Sequence, residues 1–187
     1  MAEEHQDLMD RTLRWMGDNL RGAYTAKYPP EHPKGGRYCV NSGTCILVCC
    51  YINALGKVLL KGGPASKCGR RDFQRFHEFL QRCMPDFLSE SSRKALPPTP
   101  KGKSSDGGEW LYEVFQCGFI HSFYPSTDAA WGRRPKLKEY WFQAGSRVAL
   151  NIDELVRGFE RGLEEFRRLV EADADLRFKF REYILAP

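Results

Sequence analysis

The sequence lacks the short motifs by which the common enzyme classes are recognised. No glycine-rich loop follows a predicted strand and precedes a helix, so the usual phosphate-binding loops are missing. There is no HExxH, GxSxG or CxxC motif, and no pair of carboxylates shares an apolar setting. The signatures of zinc proteases, α/β-hydrolases and paired-carboxylate acid–base sites are therefore absent.

A membrane-spanning segment is missing as well. The longest apolar run, 45–60, is interrupted by Asn53, Gly56 and Lys57. It is also shorter than the roughly 20 residues that cross a bilayer. The first ten residues are acidic and contain no apolar core, so neither a secretory signal nor a transit peptide is expected. We expect a soluble, cytoplasmic protein.

The composition is that of one globular unit. A chain of 187 residues with 42% hydrophobic side chains has room for a substantial core, and we expect a single domain over 1–187. The net charge of +5 weakly favours anionic partners. However, the 24 acidic residues are interleaved with the 29 basic ones over most of the chain, which is also typical of an ordinary solvated surface.

The seven cysteines are predicted to be free thiols rather than disulfides, because Cys45 and Cys49 lie in an apolar run of a cytoplasmic chain. The pairs Cys45/Cys49 and Cys117/His121 are each spaced i, i+4, and together they supply four potential zinc ligands. That spacing is common by chance, so we expect no metal and no other cofactor. An imidazole beside Cys117 would also lower the pKa of its thiol, but no orienting third group is visible.

Apolar residues at helical spacing predict that most of the chain is α-helical. The segment 43–60 is apolar on nearly all sides, so it is predicted to be the buried central helix. A polar cap at Asn151 or Asp153 begins the last long helix. The predicted helices span 4–27, 43–60, 71–88, 109–121 and 151–172, followed by a short final helix after 175.

The segments between these helices are predicted to be loops, with one exception. The serine-, proline- and lysine-rich segment 89–108 is typical of a flexible surface loop. The stretch from His121 to Pro135 is predicted to be irregular. Aromatic and β-branched residues on both sides of Ala144-Gly145-Ser146 predict a β-hairpin over 138–150. The predicted fold is all-α, a bundle of about five helices with a small β-hairpin insert.

The segment 109–125 carries the least ordinary chemistry. Its apolar residues recur at i, i+3, i+4 and i+7 on one face of a helix, while Cys117 and His121 lie at the margin of that face. Pro125 marks the expected end of the helix. A histidine at the end of a packed helix is a candidate site. His77, by contrast, has no evident partner nearby, so we interpret it as a histidine at the edge of the core.

Three segments, in this order, resemble the HEPN superfamily of helical domains. They read CCYINALGKVLLKG, FQRFHEFLQRCMPDF and LYEVFQCGFIHSFYP, and the resemblance spans about 41–184. Many HEPN proteins are metal-independent ribonucleases of defence and toxin–antitoxin systems, and others are non-catalytic scaffolds associated with RNA or nucleotides. The resemblance thus implies a relation to RNA or nucleotide biology and a symmetric homodimer.

Active members of the family carry an arginine, a variable gap and a histidine. The histidine transfers protons and the arginine holds the phosphate. His121 matches the histidine, but the position expected to hold arginine is Gln116, which cannot offer a charged, forked set of donors. Five residues of a regular helix also turn by about 140°, so the two side chains diverge unless the helix is distorted.

Other residues are candidates for auxiliary roles. If the protein is catalytic, His121 is the general acid/base and Gln116 orients phosphate, with Ser122 or Tyr124 as further donors. The missing positive charge can come from the loop or the hairpin. The candidates are Arg133, Arg134 and Arg147.

Three functions follow as hypotheses. The leading one is a degenerate, non-catalytic HEPN-like module that binds RNA, a nucleotide or a cognate partner protein. The second is an active metal-independent endoribonuclease, in which His121 faces a groove lined by basic side chains. The third is a structural partner domain, which would display a large apolar patch without clustered positive charge.

Overall fold

The computed structural model describes residues 2–26, 41–60, 70–91, 96, 107–117 and 130–185. Within these ranges the protein is mainly helical, with a small sheet. The helices are α1 (Ala2–Thr25), α2 (Asn41–Leu59), α3 (Arg70–Cys83), α4 (Pro85–Ser91), α5 (Gly107–Trp110), α6 (Ile152–Ala172) and α7 (Ala174–Leu185). A π-helix, Leu111–Cys117, continues from α5. The strands are β1 (Ala130–Gly132), β2 (Trp141–Ala144) and β3 (Arg147–Asn151).

Helix α2 is the centre of the described fold, as its composition predicts. It contacts α1, α3, the π-helix, α6 and α7, and it buries residues on several sides. These include Cys45, Val48, Cys49, Ile52, Leu55, Val58 and Leu59. By length and composition, Ser42–Leu59 resembles a membrane span, but 56% of this window is buried inside the structure. A core helix of a soluble protein has the same properties, so the finding is consistent with the expected soluble protein.

Helices α2 and α3 approach each other closely at a glycine. A Cβ atom built on Gly56 would lie 1.9 Å from the carbonyl oxygen of Arg75. Because the obstructing atom belongs to the backbone of α3, no rotation of a side chain can relieve the contact. The absence of a side chain at Gly56 therefore sets the distance between these helices.

The prediction of one helix over 71–88 is wrong. The structure has two helices, α3 and α4, separated at Met84. Pro85 is the first residue of α4, a position where its missing N–H costs nothing and its fixed φ suits the start of a helix. The bundle is accordingly divided into more helical segments than the predicted five. Helix α4 also extends to Ser91, and α5 begins at Gly107, so both ends of the predicted loop 89–108 are helical.

The predicted hairpin is confirmed, with narrower bounds than 138–150. Strands β2 and β3 pair antiparallel, and Gly145 in the turn between them has a φ of 63°, which a residue without a Cβ adopts at no steric cost. The hairpin is part of a larger sheet, because β1 pairs parallel with β3 in the order β1-β3-β2. The prediction of an irregular stretch up to Pro135 is therefore wrong at 130–132.

Aromatic side chains join the sheet to the helices. The rings of Trp110 and Trp141 meet edge to face with centroids 5.0 Å apart, and Phe87 of α4 contacts Trp141 at 5.7 Å. On the other side of the core, Phe79 of α3 packs against Phe159 and Phe166 of α6. The two contacts of Trp141 hold the start of the hairpin against α4 and α5.

Candidate functional site

The predicted catalytic positions lie at and beyond the edge of the described structure. Gln116 belongs to the π-helix, and its side chain is not among the described atoms. His121, Ser122 and Tyr124 lie outside the described residues, as does the predicted helical end at 118–121. The part of this helix that is described is not regular α-helix, since its i→i+5 bonds widen the turn. A distortion of the helix is therefore present over Leu111–Cys117, which contains Gln116, while 118–121 lie outside the described residues.

Three of the five described cysteines, Cys45, Cys49 and Cys83, are buried, and the other two, Cys50 and Cys117, are half-buried. Cys45 and Cys49 are fully buried, and burial raises the pKa of both. Burial likewise raises the pKa of Cys83 to about 12. None of the five described cysteines is in a disulfide bond. No three described His, Cys, Asp or Glu side chains are grouped as a metal site would require. His121, one of the four potential zinc ligands, lies outside the described residues.

Arg133 is tied into a buried ion pair. Its Nε and Nη2 atoms lie 2.9 Å from Oδ1 of Asp153, which is fully buried. The Tyr24 hydroxyl donates to the same oxygen at 2.5 Å, and the guanidinium lies over the Tyr24 ring at 4.0 Å. Burial opposes the charge on Arg133, but the bond and charge of Asp153 outweigh it and raise the arginine pKa. The Arg133 side chain therefore joins the end of β1 to α1 and α6.

Arg134 has a different setting, on the surface. Its guanidinium lies over the ring of Phe142 at 4.6 Å, and Nη1 donates to the carbonyl oxygen of Arg133 at 3.0 Å. Its backbone N–H donates to Oδ1 of Asn151 at 3.1 Å. The side chain is nevertheless exposed. The charge of Arg134 therefore stays in solvent while its plane is held in one orientation.

Asn151 fixes the loop between β1 and β2. Its side-chain nitrogen donates to the carbonyl oxygens of Arg134, Leu137 and Glu139 at 2.9 to 3.3 Å. Its Oδ1 accepts from the N–H of Asp153 and caps α6. The sequence predicts the cap but not the bonds to the loop. A single buried side chain thus sets both the start of α6 and the backbone of 134–139.

This fixed loop and the hairpin carry a concentration of positive charge. Segment 130–151 contains five basic residues and one acidic residue, a net charge of +4 against +5 for the whole chain. Four of the basic side chains are exposed, and we call them the basic loop surface: Arg134, Lys136, Lys138 and Arg147. This segment is an exception to the interleaving of acidic and basic residues over most of the chain.

A polar network that the sequence analysis did not predict lies next to this surface, at Tyr140. Arg161 Nη2 donates to Asp86, Tyr140 and Glu154 at 2.9 to 3.1 Å. The Tyr140 hydroxyl donates to Asp86 at 2.9 Å. Burial, together with the charge of Asp86, raises the pKa of Tyr140, which stays neutral as a donor. The network joins α4, the start of β2 and α6.

Other described surfaces offer less chemistry. A cleft of about 330 Å³ lies between α1 and α6, but its four carboxylates and three arginines largely pair with one another, as Arg167 does with Asp10. Among the described residues, two large apolar side chains are exposed, Trp15 at 59% and Phe178 at 63%. They lie on different helices, α1 and α7. The basic loop surface is therefore the best-defined candidate site in the described part of the chain.

Comparison with known proteins adds no further identification. The chain matches no protein-family model, no curated protein and no solved structure.

Proposed function

We propose that this protein is a non-catalytic, HEPN-like module that binds RNA through the basic loop surface. One observation supports the proposal most directly. Four exposed cationic side chains lie on a loop and hairpin whose backbone is fixed, with Glu139 as the one acidic residue in the segment. Phosphate contacts from lysine and arginine supply most of the sequence-independent affinity for nucleic acids.

The fixed backbone matters to the expected affinity. A flexible lysine-rich loop loses conformational entropy when it binds, whereas a loop that is already ordered loses less. Asn151 holds three carbonyl groups of this loop before any ligand is present. The cations on it are therefore presented from a rigid base.

The non-catalytic part of the proposal depends on the arginine position. Gln116 stands where active family members carry arginine, and Arg133, a candidate replacement, is neutralised by Asp153. A homodimer and a role in a defence or toxin–antitoxin system belong to the proposal through the family resemblance, and a cytoplasmic location belongs to it as an expectation from the sequence. A nucleotide or a cognate protein is the alternative ligand within it.

The first prediction concerns salt dependence. The triple variant Lys136→Gln, Lys138→Gln, Arg147→Gln should bind single-stranded RNA more weakly than the wild type. Each lost phosphate contact lowers the slope of log K against log salt by about 0.7 for a single strand, so the slope should fall by about 2. Fluorescence anisotropy with a labelled oligonucleotide at several salt concentrations measures both quantities.

A matched control removes three positive charges elsewhere. The control variant carries Arg14→Gln on α1 together with Lys179→Gln and Arg181→Gln on α7. Its net charge falls by three, as it does in the loop variant. If binding depends only on total charge, the two triple variants will be equally impaired, and the proposed surface is then incorrect. An unchanged slope in the loop variant leads to the same conclusion.

An active ribonuclease is the second candidate, because the π-helix distorts the segment that leads to His121. Single π-turns inside helices are frequent at functional sites. The second prediction is that the wild type does not cleave a pool of single-stranded and structured RNA in excess chelator beyond the level of a His121→Ala variant purified in parallel. Cleavage by the wild type that disappears in the variant would establish the nuclease instead and show that Gln116 is tolerated.

A further inference from the structure

We infer that the basic loop surface selects single-stranded RNA by stacking one base on the exposed guanidinium plane of Arg134. The inference rests on the proposed function. It adds that the RNA is single-stranded and that Arg134 is the residue that recognises an unpaired base. It is carried by the geometry of Arg134 and Phe142 on one face of the sheet.

Arg134 is held at three points, one on its backbone and two on its guanidinium. The backbone N–H is bonded to Asn151, Nη1 to the carbonyl oxygen of Arg133, and the plane lies 4.6 Å from the centroid of the Phe142 ring. The side chain remains exposed. The guanidinium thus lies over Phe142 on one side, and the exposure of the side chain leaves it accessible to a planar ligand.

Phe142 is itself fixed by the strand order. A Cβ atom on Gly132 would lie 3.3 Å from Cζ of Phe142. Since Gly132 is in β1, Phe142 is in β2 and β3 lies between them, the ring reaches across the sheet. The small residue Ala149, directly opposite Phe142 in β3, leaves room for it. The ring therefore forms a half-buried base for the arginine.

Arg147 lies on the same face of the sheet. It pairs with Ala144, two residues along β2 from Phe142, and residues two apart in a strand share a face. Two residues correspond to about 7 Å along the strand. A cation for the phosphate is therefore placed within reach of a base stacked on Arg134.

Stacking of this kind is open to unpaired bases. Arginine planes and aromatic rings stack the splayed bases of single-stranded RNA, whereas the bases of a duplex are stacked on each other and are presented to proteins only at their edges. Lysine carries the same charge as arginine but has no plane. Arg134→Lys should therefore separate stacking from charge.

The test is binding of three ligands by the whole chain: a short single-stranded RNA, an abasic oligonucleotide of equal length and an RNA duplex. The Arg134→Lys variant should bind the single strand roughly fivefold more weakly than the wild type, given the usual contribution of base stacking. Its binding of the abasic strand and the duplex should change by less than about twofold, and its salt slope should be unchanged. Arg181→Lys, a charge-conserving change at an exposed position of α7 outside the basic loop surface, should leave the binding of all three ligands within about twofold of the wild type.

Phe142→Leu provides an independent variant, because it keeps an apolar side chain under Arg134 but removes the ring. It should show the same selective loss for the base-containing strand. Equal binding of the single strand by wild type and Arg134→Lys, or an equal loss on the abasic strand, would overturn the inference. If the triple variant Lys136→Gln, Lys138→Gln, Arg147→Gln nevertheless binds RNA more weakly than the wild type, the proposed function stands and only the stacking inference fails. Failure of the wild type to bind any RNA would overturn both.

Discussion

Replacing Gly56 with alanine is expected to lower the free energy of unfolding by about 2 to 3 kcal/mol, the upper part of the usual range for overpacking a tight site. The added methyl group would lie 1.9 Å from the carbonyl oxygen of Arg75 and 2.6 Å from its carbonyl carbon. Both atoms are backbone, so α2 and α3 must move apart. Because α2 contacts helices on several sides, the movement disturbs the rest of the core.

Urea denaturation followed by circular dichroism measures this effect, and two other glycines provide the control. Gly17 and Gly22 lie in α1, and a Cβ atom on either has no neighbour within 4 Å. Alanine there should stabilise the protein by about 0.5 to 1 kcal/mol through helix propensity. If Gly56→Ala is as stable as the wild type, the close approach of α2 and α3 is not what the structure indicates.

Replacing Asn151 with alanine should cost about 3 kcal/mol of stability and abolish RNA binding by the loop. The change removes the cap of α6, which is typically worth about 1 kcal/mol. It also removes the partners of partly buried carbonyl groups of the loop, at about 1 to 3 kcal/mol for each group that water cannot reach. Denaturant unfolding and RNA anisotropy on the same preparation test both parts.

A serine at the same position separates the two roles. Asn151→Ser keeps an oxygen that can cap α6 but cannot reach Leu137 and Glu139, so its stability should lie between those of the wild type and the alanine variant. Gln143→Ala removes an exposed side chain with one bond, to Gly145, and should change stability by less than about 0.5 kcal/mol. An alanine variant of Asn151 that binds RNA normally would argue against a rigid loop.

The helices could be predicted because their information is local. The all-round apolar composition of α2 required burial, and the cap at Asn151 was visible in the sequence. The break before Pro85 was also encoded locally, yet the apolar face of 71–88 continues through it and conceals it. The π-helix had no such signal, because the apolar spacing of 109–117 fits a regular helix equally well.

The sheet and the site depended on pairings between distant residues. The hairpin was predictable from its turn, whereas β1 has three residues and pairs with a strand 19 positions later. Arg161 and Asp86 are 75 residues apart, and Arg133 meets Tyr24 across 109. Charge counting alone treated the arginines alike. Only their packing distinguishes Arg133, which is neutralised, from Arg134, which is presented on an aromatic ring.

Glu90 has a consequence for how the protein behaves at high concentration. Its two carboxylate oxygens accept from the backbone N–H groups of Tyr140 and Trp141, each at 3.1 Å, where β2 begins. Strand β2 lies at one edge of the described sheet, and unpaired amides at such an edge attract strands from other molecules. Because Glu90 already accepts from both N–H groups, neither is available to a strand of another molecule, which lowers the tendency of the chain to aggregate through the start of β2.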